Sequence, residues 1–172
     1  NNYSLTLNPG TSLTINKKEI NVIAQAQTKV YGSNDPSLTY NSNPTLVVGD
    51  SFSGALSRVA GNHVGTYAIE QGDLTLSSNY TLNYTPANLA ITAKSIAVQI
   101  TAGGKTYGAA EPQLNYTSIP LLESGDVFTG AISRLAGENE GTYLISKGRL
   151  AASTDYTHSY TDATVVIGAA PL

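Results

Sequence analysis

Several residues in this 172-residue chain could carry chemistry, and their spacing limits what that chemistry is. Arg58 and Arg134 each follow a Gly-Asp pair by eight residues, with Asp50 and Asp126 as candidate partners. A guanidinium so placed could grip a carboxylate or an acidic sugar. It could equally pin a hairpin, its stem lying on Phe52 or Phe128; with no companion pocket legible, the hairpin role is expected. Lys29 and Lys105, with Asn79 and Asp155, are the residue types of an intramolecular isopeptide bond, which needs a buried lysine of lowered pKa and a neighbouring acid. The only recurring acids are Asp50/Asp126 and the Asp35/Glu111 turn, so the bond is not expected. Glu138 and Glu140 form a carboxylate pair of the type used in glycoside hydrolysis, but a solvated loop is the expected setting. His63 and His158 have no recurring serine or aspartate in triad order. Gly103-Gly104-Lys105-Thr106 imitates part of a phosphate loop but lacks the first glycine at the required spacing. The Asp-bearing turns lack the alternate-position carboxylates of a calcium loop.

Composition narrows the classes further. Without cysteine there are no disulfides, thiolate metal sites or cysteine nucleophiles. Two histidines make a zinc centre unexpected. A net charge of −3 with nine basic residues argues against nucleic acid or an anionic membrane as partner. No apolar run approaches the roughly 20 residues of a membrane helix. Charged residues are 12% of the chain, and Ser, Thr, Asn and Gly fill the gap, which favours short strands and turns.

The elements that must position these residues are repeated. Slid by 76 positions, residues 17–92 overlie 93–168 without a gap, and 35 of those 76 positions are identical. Tyr31-Gly32 returns as Tyr107-Gly108, Asp50 and Phe52 as Asp126 and Phe128, Arg58 as Arg134, and Gly65-Thr66-Tyr67 as Gly141-Thr142-Tyr143. Ten of the eleven tyrosines pair in this overlay, so rings that fill a core lacking Trp and Met are expected over a sugar-stacking platform. Asn2-Tyr3, Leu5 and Pro9 match Asn79-Tyr80, Leu82 and Pro86, which makes residues 1–16 the expected end of a preceding copy. Residues 169–172 form a tail.

Period-two alternation marks strands at Ile20, Val22, Ala24 and Ala26, at Ile96, Val98, Ile100 and Ala102, and at Tyr80, Leu82 and Tyr84. Asn34-Asp35-Pro36, Gly49-Asp50, Gly61-Asn62 and Gly72-Asp73 supply turns between strands. No window carries a capped helical stripe. The expectation is all-β: two small tandem domains of six or seven short strands each, sandwich-like or resembling a helix-poor β-grasp. Leu89–Thr92 runs into Ala93–Ile96 without a Gly, Ser or Pro linker, a connection expected to hold the copies in line. Gly65 and Gly141 are expected to hold special backbone conformations.

Twice, and in the same order, the chain carries Tyr-Gly, Asp/Glu-Pro-x-Leu-x-Tyr, Gly-Asp-x-Phe-x-Gly, Arg-x-x-Gly, Gly-Thr-Tyr-x-Ile-x-x-Gly-x-Leu and Tyr-Thr-x-x-Tyr-x-x-Ala-x-x-x-Ile. This string resembles the MBG modules of the YGX type, found in tandem in large bacterial surface and secreted adhesin-like proteins. The resemblance implies an extracellular stalk module without catalytic residues or cofactor, on a bacterial cell surface or secreted. Its partners would be neighbouring repeats of the same chain, and the molecule a monomer. The family label points to host glycoprotein or glycan as the alternative partner. Tyr31, Gly32, Asp50, Phe52, Arg58, Gly65, Tyr67, Tyr107, Gly108, Asp126, Phe128, Arg134, Gly141 and Tyr143 are then structural positions. Asn-Tyr-Thr sequons at Asn79, Asn83 and Asn115 would carry no glycan in such a protein.

Overall fold

Alternation of apolar and polar side chains turns one face of each strand inward and dictates where the sheets form. The computed structural model describes residue 10 and residues 14–171; Asn2, Tyr3, Leu5 and Pro9 lie outside the described residues. Among the described residues there are fourteen strands and no helix, seven strands in each copy. Contacts divide the chain into two compact units. Of the described residues, the first comprises 10, 14–26, 37–59 and 67–88, the second 27–36, 60–66 and 89–171.

In the first unit, β1 (Lys18–Ala24) is the central strand of a three-stranded sheet. It pairs antiparallel with β3 (Tyr40–Asn43) and parallel with β6 (Tyr80–Thr85). Ile20, Val22 and Ala24 face inward and are buried, as the alternation requires, whereas Ala26 lies past the strand and is exposed. Ile20 and Val22 pack with Leu74 and Tyr80, covered by Phe52, Leu56 and Tyr84. The two-residue β4 (Ser57–Arg58) pairs antiparallel with β5 (Gly65–Glu70), setting Arg58 opposite Ile69.

The second unit repeats this plan. β8 (Lys94–Thr101) lies between β10 (Asn115–Ile119), antiparallel, and β13 (Tyr156–Thr161), parallel. A four-stranded sheet has the order β11 (Ser133–Arg134), β12 (Gly141–Ser146), β14 (Ala163–Gly168) and β9 (Lys105–Thr106). Ile100 from the first of these sheets packs on Ile145, Val165 and Ile167 from the second, and Ile96 and Val98 pack on Leu150 and Tyr156. Each such side chain, once buried, contributes about 1.5–3 kcal/mol. The unit also takes in β2 (Gln27–Val30), which runs parallel to residues 89–92 of β7 (Ala87–Thr92) with Gln27 opposite Leu89.

The glycines that most constrain the backbone differ from those expected. Gly65 is not among the glycines at positive φ, and Gly141, at φ 155°, lies at the edge of extended backbone. The tight positions are Gly54 and Gly130, at φ 76° and 74°, where an added Cβ would fall 2.1 Å from the carbonyl oxygens of Asp73 and Arg149. These backbones approach because Ser53 bridges Thr75, and Thr129 bridges Ala151. Replacing Gly130 with Ala is expected to destabilise the second unit by about 2–3 kcal/mol, from strain plus overlap with backbone. Gly49→Ala, at positive φ but with open space around it, should cost only about 1 kcal/mol. Urea unfolding of the two variants checks the difference; equal losses would contradict the close-approach account.

Candidate functional site

Three polar clusters hold the recurring residues, and each forms where loops meet strand ends. The first, in the second unit, is built on Asp126. Its Oδ2 accepts the Tyr156 hydroxyl at 2.5 Å and the Tyr31 hydroxyl at 2.9 Å. Tyr156, at the start of β13, is buried; its oxygen in turn accepts the Glu123 N–H at 2.8 Å. Tyr31 reaches this point because its own N–H donates to the Thr92 carbonyl at the end of β7. Its ring meets Tyr156 edge-on, with centroids 5.4 Å apart, and stacks on His63 at 6.2 Å. Gly32 follows at φ 81°, and a Cβ there would lie 2.3 Å from the Glu123 carboxyl, whose carboxylate is also gripped by Lys94.

Beside this seat, Asp155 is only 5% exposed. It accepts the Val64 N–H at 2.7 Å, lies 2.8 Å from His63 Nδ1 and takes a bond from the Ser153 hydroxyl. Burial would raise its carboxyl, but the Val64 N–H and the His63 ring outweigh that and hold it below the usual carboxylate range. The His-Asp contact superficially suits base catalysis. However, the Ser153 hydroxyl bonds to the carboxylate, where a triad would place it on the imidazole.

The second cluster is ionic. Arg134 forks onto Glu111, with Nη2 to Oε1 at 2.7 Å and Nε to Oε2 at 3.0 Å, and reaches Glu138 at 2.8 Å. Lys105 joins both carboxylates at 2.5 Å with its side chain only 4% exposed. Bonds from Lys105 and then Arg134 hold the Glu111 and Glu138 carboxyls below their ordinary values. The expected pairing of Arg134 with Asp126 is therefore corrected: two tyrosines take up Asp126, and the arginine turns to glutamates and over the Tyr143 ring, 5.1 Å from its centroid. Glu138, expected in a solvated loop, is a member of this cluster. Lys105 engages glutamates and Asp155 engages His63, so the isopeptide partners do not meet. Lys29 likewise pairs with Asp35 at 2.7 Å.

The third cluster, in the first unit, has Tyr80 donating to Asp50 Oδ2 at 2.5 Å. Here too Asp50 serves a tyrosine, while Arg58 lies over Tyr67 at 5.5 Å. Phe52 and Phe128 meet Tyr40 and Tyr116 edge-on, with centroids 5.2 and 5.3 Å apart. Gly65 opens β5, Gly141 opens β12, and Tyr143 closes its loop by donating to the Asn139 carbonyl. Tyr107 and Gly108 stand apart from the three clusters, with Tyr107 54% exposed. An apolar groove of about 530 Å³ runs between Tyr116, Leu121, Val127 and Phe128.

Sequence reasoning missed Asp155 with His63, because both residues change between copies and recurrence was the filter. The usable signal was that they change together, to Asn79 and Asn139. The family model described as MBG domain (YGX type) matches residues 20–90 and again 96–166. The chain belongs to this family. Its Tyr-Gly signature is thus the pair seated on Asp126 in one MBG copy and exposed in the other. Comparison with curated proteins and with solved structures gives no match.

Burial, and next the bond to Asp126, push the Tyr156 hydroxyl from 10 up to about 12. Its folded value lies above the unfolded one, so its stabilising share is complete below about pH 10 and is lost as pH climbs towards 12. Phenolate absorbance should show one tyrosine titrating near 12, absent in Tyr156→Phe and moved down in Asp126→Ala. A Tyr156 step near 10 would contradict the seat's chemistry.

Proposed function

We propose that this tandem MBG chain is a non-catalytic structural repeat of a bacterial cell-surface adhesin, acting as a stalk or spacer outside the cell. The observation that carries the reading is where the recurring residues act. Asp50, Asp126, Tyr80, Tyr156 and Tyr31 hold one another, and Arg134 holds two glutamates of its own unit. Side chains engaged in this way fix backbone and need no small-molecule ligand to satisfy them. A protein without disulfides or a large core gains rigidity from such clusters, which suits repeats placed in series. No cofactor enters this reading.

The second reading is weak, multivalent binding of a host glycoprotein or glycan. The groove beside Tyr116 favours it, since an aromatic ring beside apolar walls suits a sugar face. A glycan and mucin array probed with the chain separates the two. The spacer reading expects no signal above background that Tyr116→Ala removes. Specific signal lost in Tyr116→Ala would replace it with the binding module.

A further inference from the structure

The seat around Asp126 has a twin in the first unit. There Tyr80 donates to Asp50, the Val47 N–H donates to the Tyr80 oxygen at 3.0 Å, and Lys18 Nζ donates to the Thr45 carbonyl at 2.7 Å. At the 76-residue offset these contacts correspond to Tyr156 on Asp126, the Glu123 N–H on Tyr156 and Lys94 on the Leu121 carbonyl. The scaffold of the seat is therefore the same in both units. In the second unit Tyr31, His63 and Val64 occupy it and Asp155 is buried. In the first unit the counterpart Asn79 is exposed and Val47 is 57% exposed. A cavity of about 370 Å³ opens beside Asn79, between Ile15, Lys17 and Ser78.

The segment that fills such a seat is also present twice. Tyr107 donates its N–H to the Gly168 carbonyl at 2.8 Å, as Tyr31 does to Thr92, and Gly108 repeats the φ of Gly32. A Cβ on Gly108 would meet nothing within 4 Å. The loop that accompanies it carries Asn139 and Glu140, both exposed.

The positions that differ between the copies differ in matched sets. Asp155 receives His63 and the Val64 N–H; Asn79 stands in its place and Asn139 in that of His63. An asparagine can accept the Glu140 N–H through its oxygen and donate its amide to the Asn139 side chain. Glu140 replaces Val64 and Lys17, beside Asn79, replaces Ala93, so the plug carries a negative charge and the seat a positive one.

We infer that Asp50, Tyr80 and Asn79 form a docking seat for Tyr107-Gly108 and the Asn139-Glu140 loop of a second molecule of this chain, joining molecules head to tail. The inference rests on the structural-repeat reading above. Such a heterologous joint uses a seat on one molecule and a plug on the next, so each added molecule brings a new seat and a new plug. With molecules at about 1 mM, a dissociation constant of about 1 mM already joins them, so the seat needs only weak affinity.

Sedimentation equilibrium of the full chain, without added glycan, tests this. At about 1 mM the weight-average mass is expected to reach about twice the 17.9 kDa of the monomer. Tyr107→Ala and Asp50→Ala should each stay monomeric alone, and their equimolar mixture should form dimers that grow no further. In that mixture the first variant supplies the seat and the second the plug. Asn79→Lys, an exposed change that leaves the Tyr80–Asp50 bond in place, should behave as Asp50→Ala does, which guards against misfolding as the cause. Wild-type mass that stays at monomer through this range would overturn the proposal. So would association that survives Tyr107→Ala, or a mixture that fails to pair. Glycan binding, by contrast, would overturn the spacer reading and leave the mass measurement unaffected.

Discussion

A carboxylate held between two phenols is the constraint on which the second unit depends. Asp126 takes hydroxyls from Tyr156, which anchors the start of β13, and from Tyr31, 95 residues earlier in the chain. An ionised carboxylate accepts hydrogen bonds but cannot donate them, so each phenol proton has a defined direction and neither ring can turn away without leaving charge unsatisfied. Tyr31 brings Gly32 against Glu123 and its ring against His63, and His63 with Val64 closes over Asp155. Residues 27–36 and 60–66 therefore belong to the same compact unit as 89–171, and compact units and sequence repeats do not share boundaries. The family signature acquires a physical meaning from this: tyrosine supplies a hydroxyl at the end of a rigid ring, and glycine supplies the positive φ that aims it.

The charge distribution follows the same logic. In a chain with so few ionic groups, most of those in the second unit sit in two places, the Asp126–Asp155 seat and the Lys105–Glu111–Arg134–Glu138 cluster. Lys105 and Arg134 are nearly covered while the glutamates remain partly exposed, which spares the cations an uncompensated burial. The small apolar clusters around β8 supply the bulk of the stability, and the polar clusters decide how loops meet the sheets.

Much of this was legible in the residues. Ile20, Val22 and Ile96, Val98, Ile100 announced the central strands through alternation alone, and all are buried. The repeat led to an expectation of six or seven strands in each copy, and each copy has seven. Partner choice was less legible. Arg134 and Asp126 are close in sequence and opposite in charge, yet β11 turns the arginine towards Glu111, while Asp126 lies beneath Tyr156. Sequence distance carries no information about such a choice when the partner comes from a distant segment, as Glu111 does from the loop before β10. Gly54 and Gly130 matter through backbone approach at a bridge that no local pattern encodes. Recurrence also misled at Asp155, since a contact between residues of different copies need not repeat its residue types, only their complementarity.

The central claim is that Tyr31 and Asp126 are energetically coupled rather than merely adjacent. A double-mutant cycle by urea unfolding, with Tyr31→Phe, Asp126→Ala and the double variant, measures that coupling directly. The hydrogen bond to a charged acceptor predicts an interaction energy of about 1–2 kcal/mol, with Tyr31→Phe costing little once Asp126 is gone. Strict additivity, with a coupling indistinguishable from zero, would contradict the account.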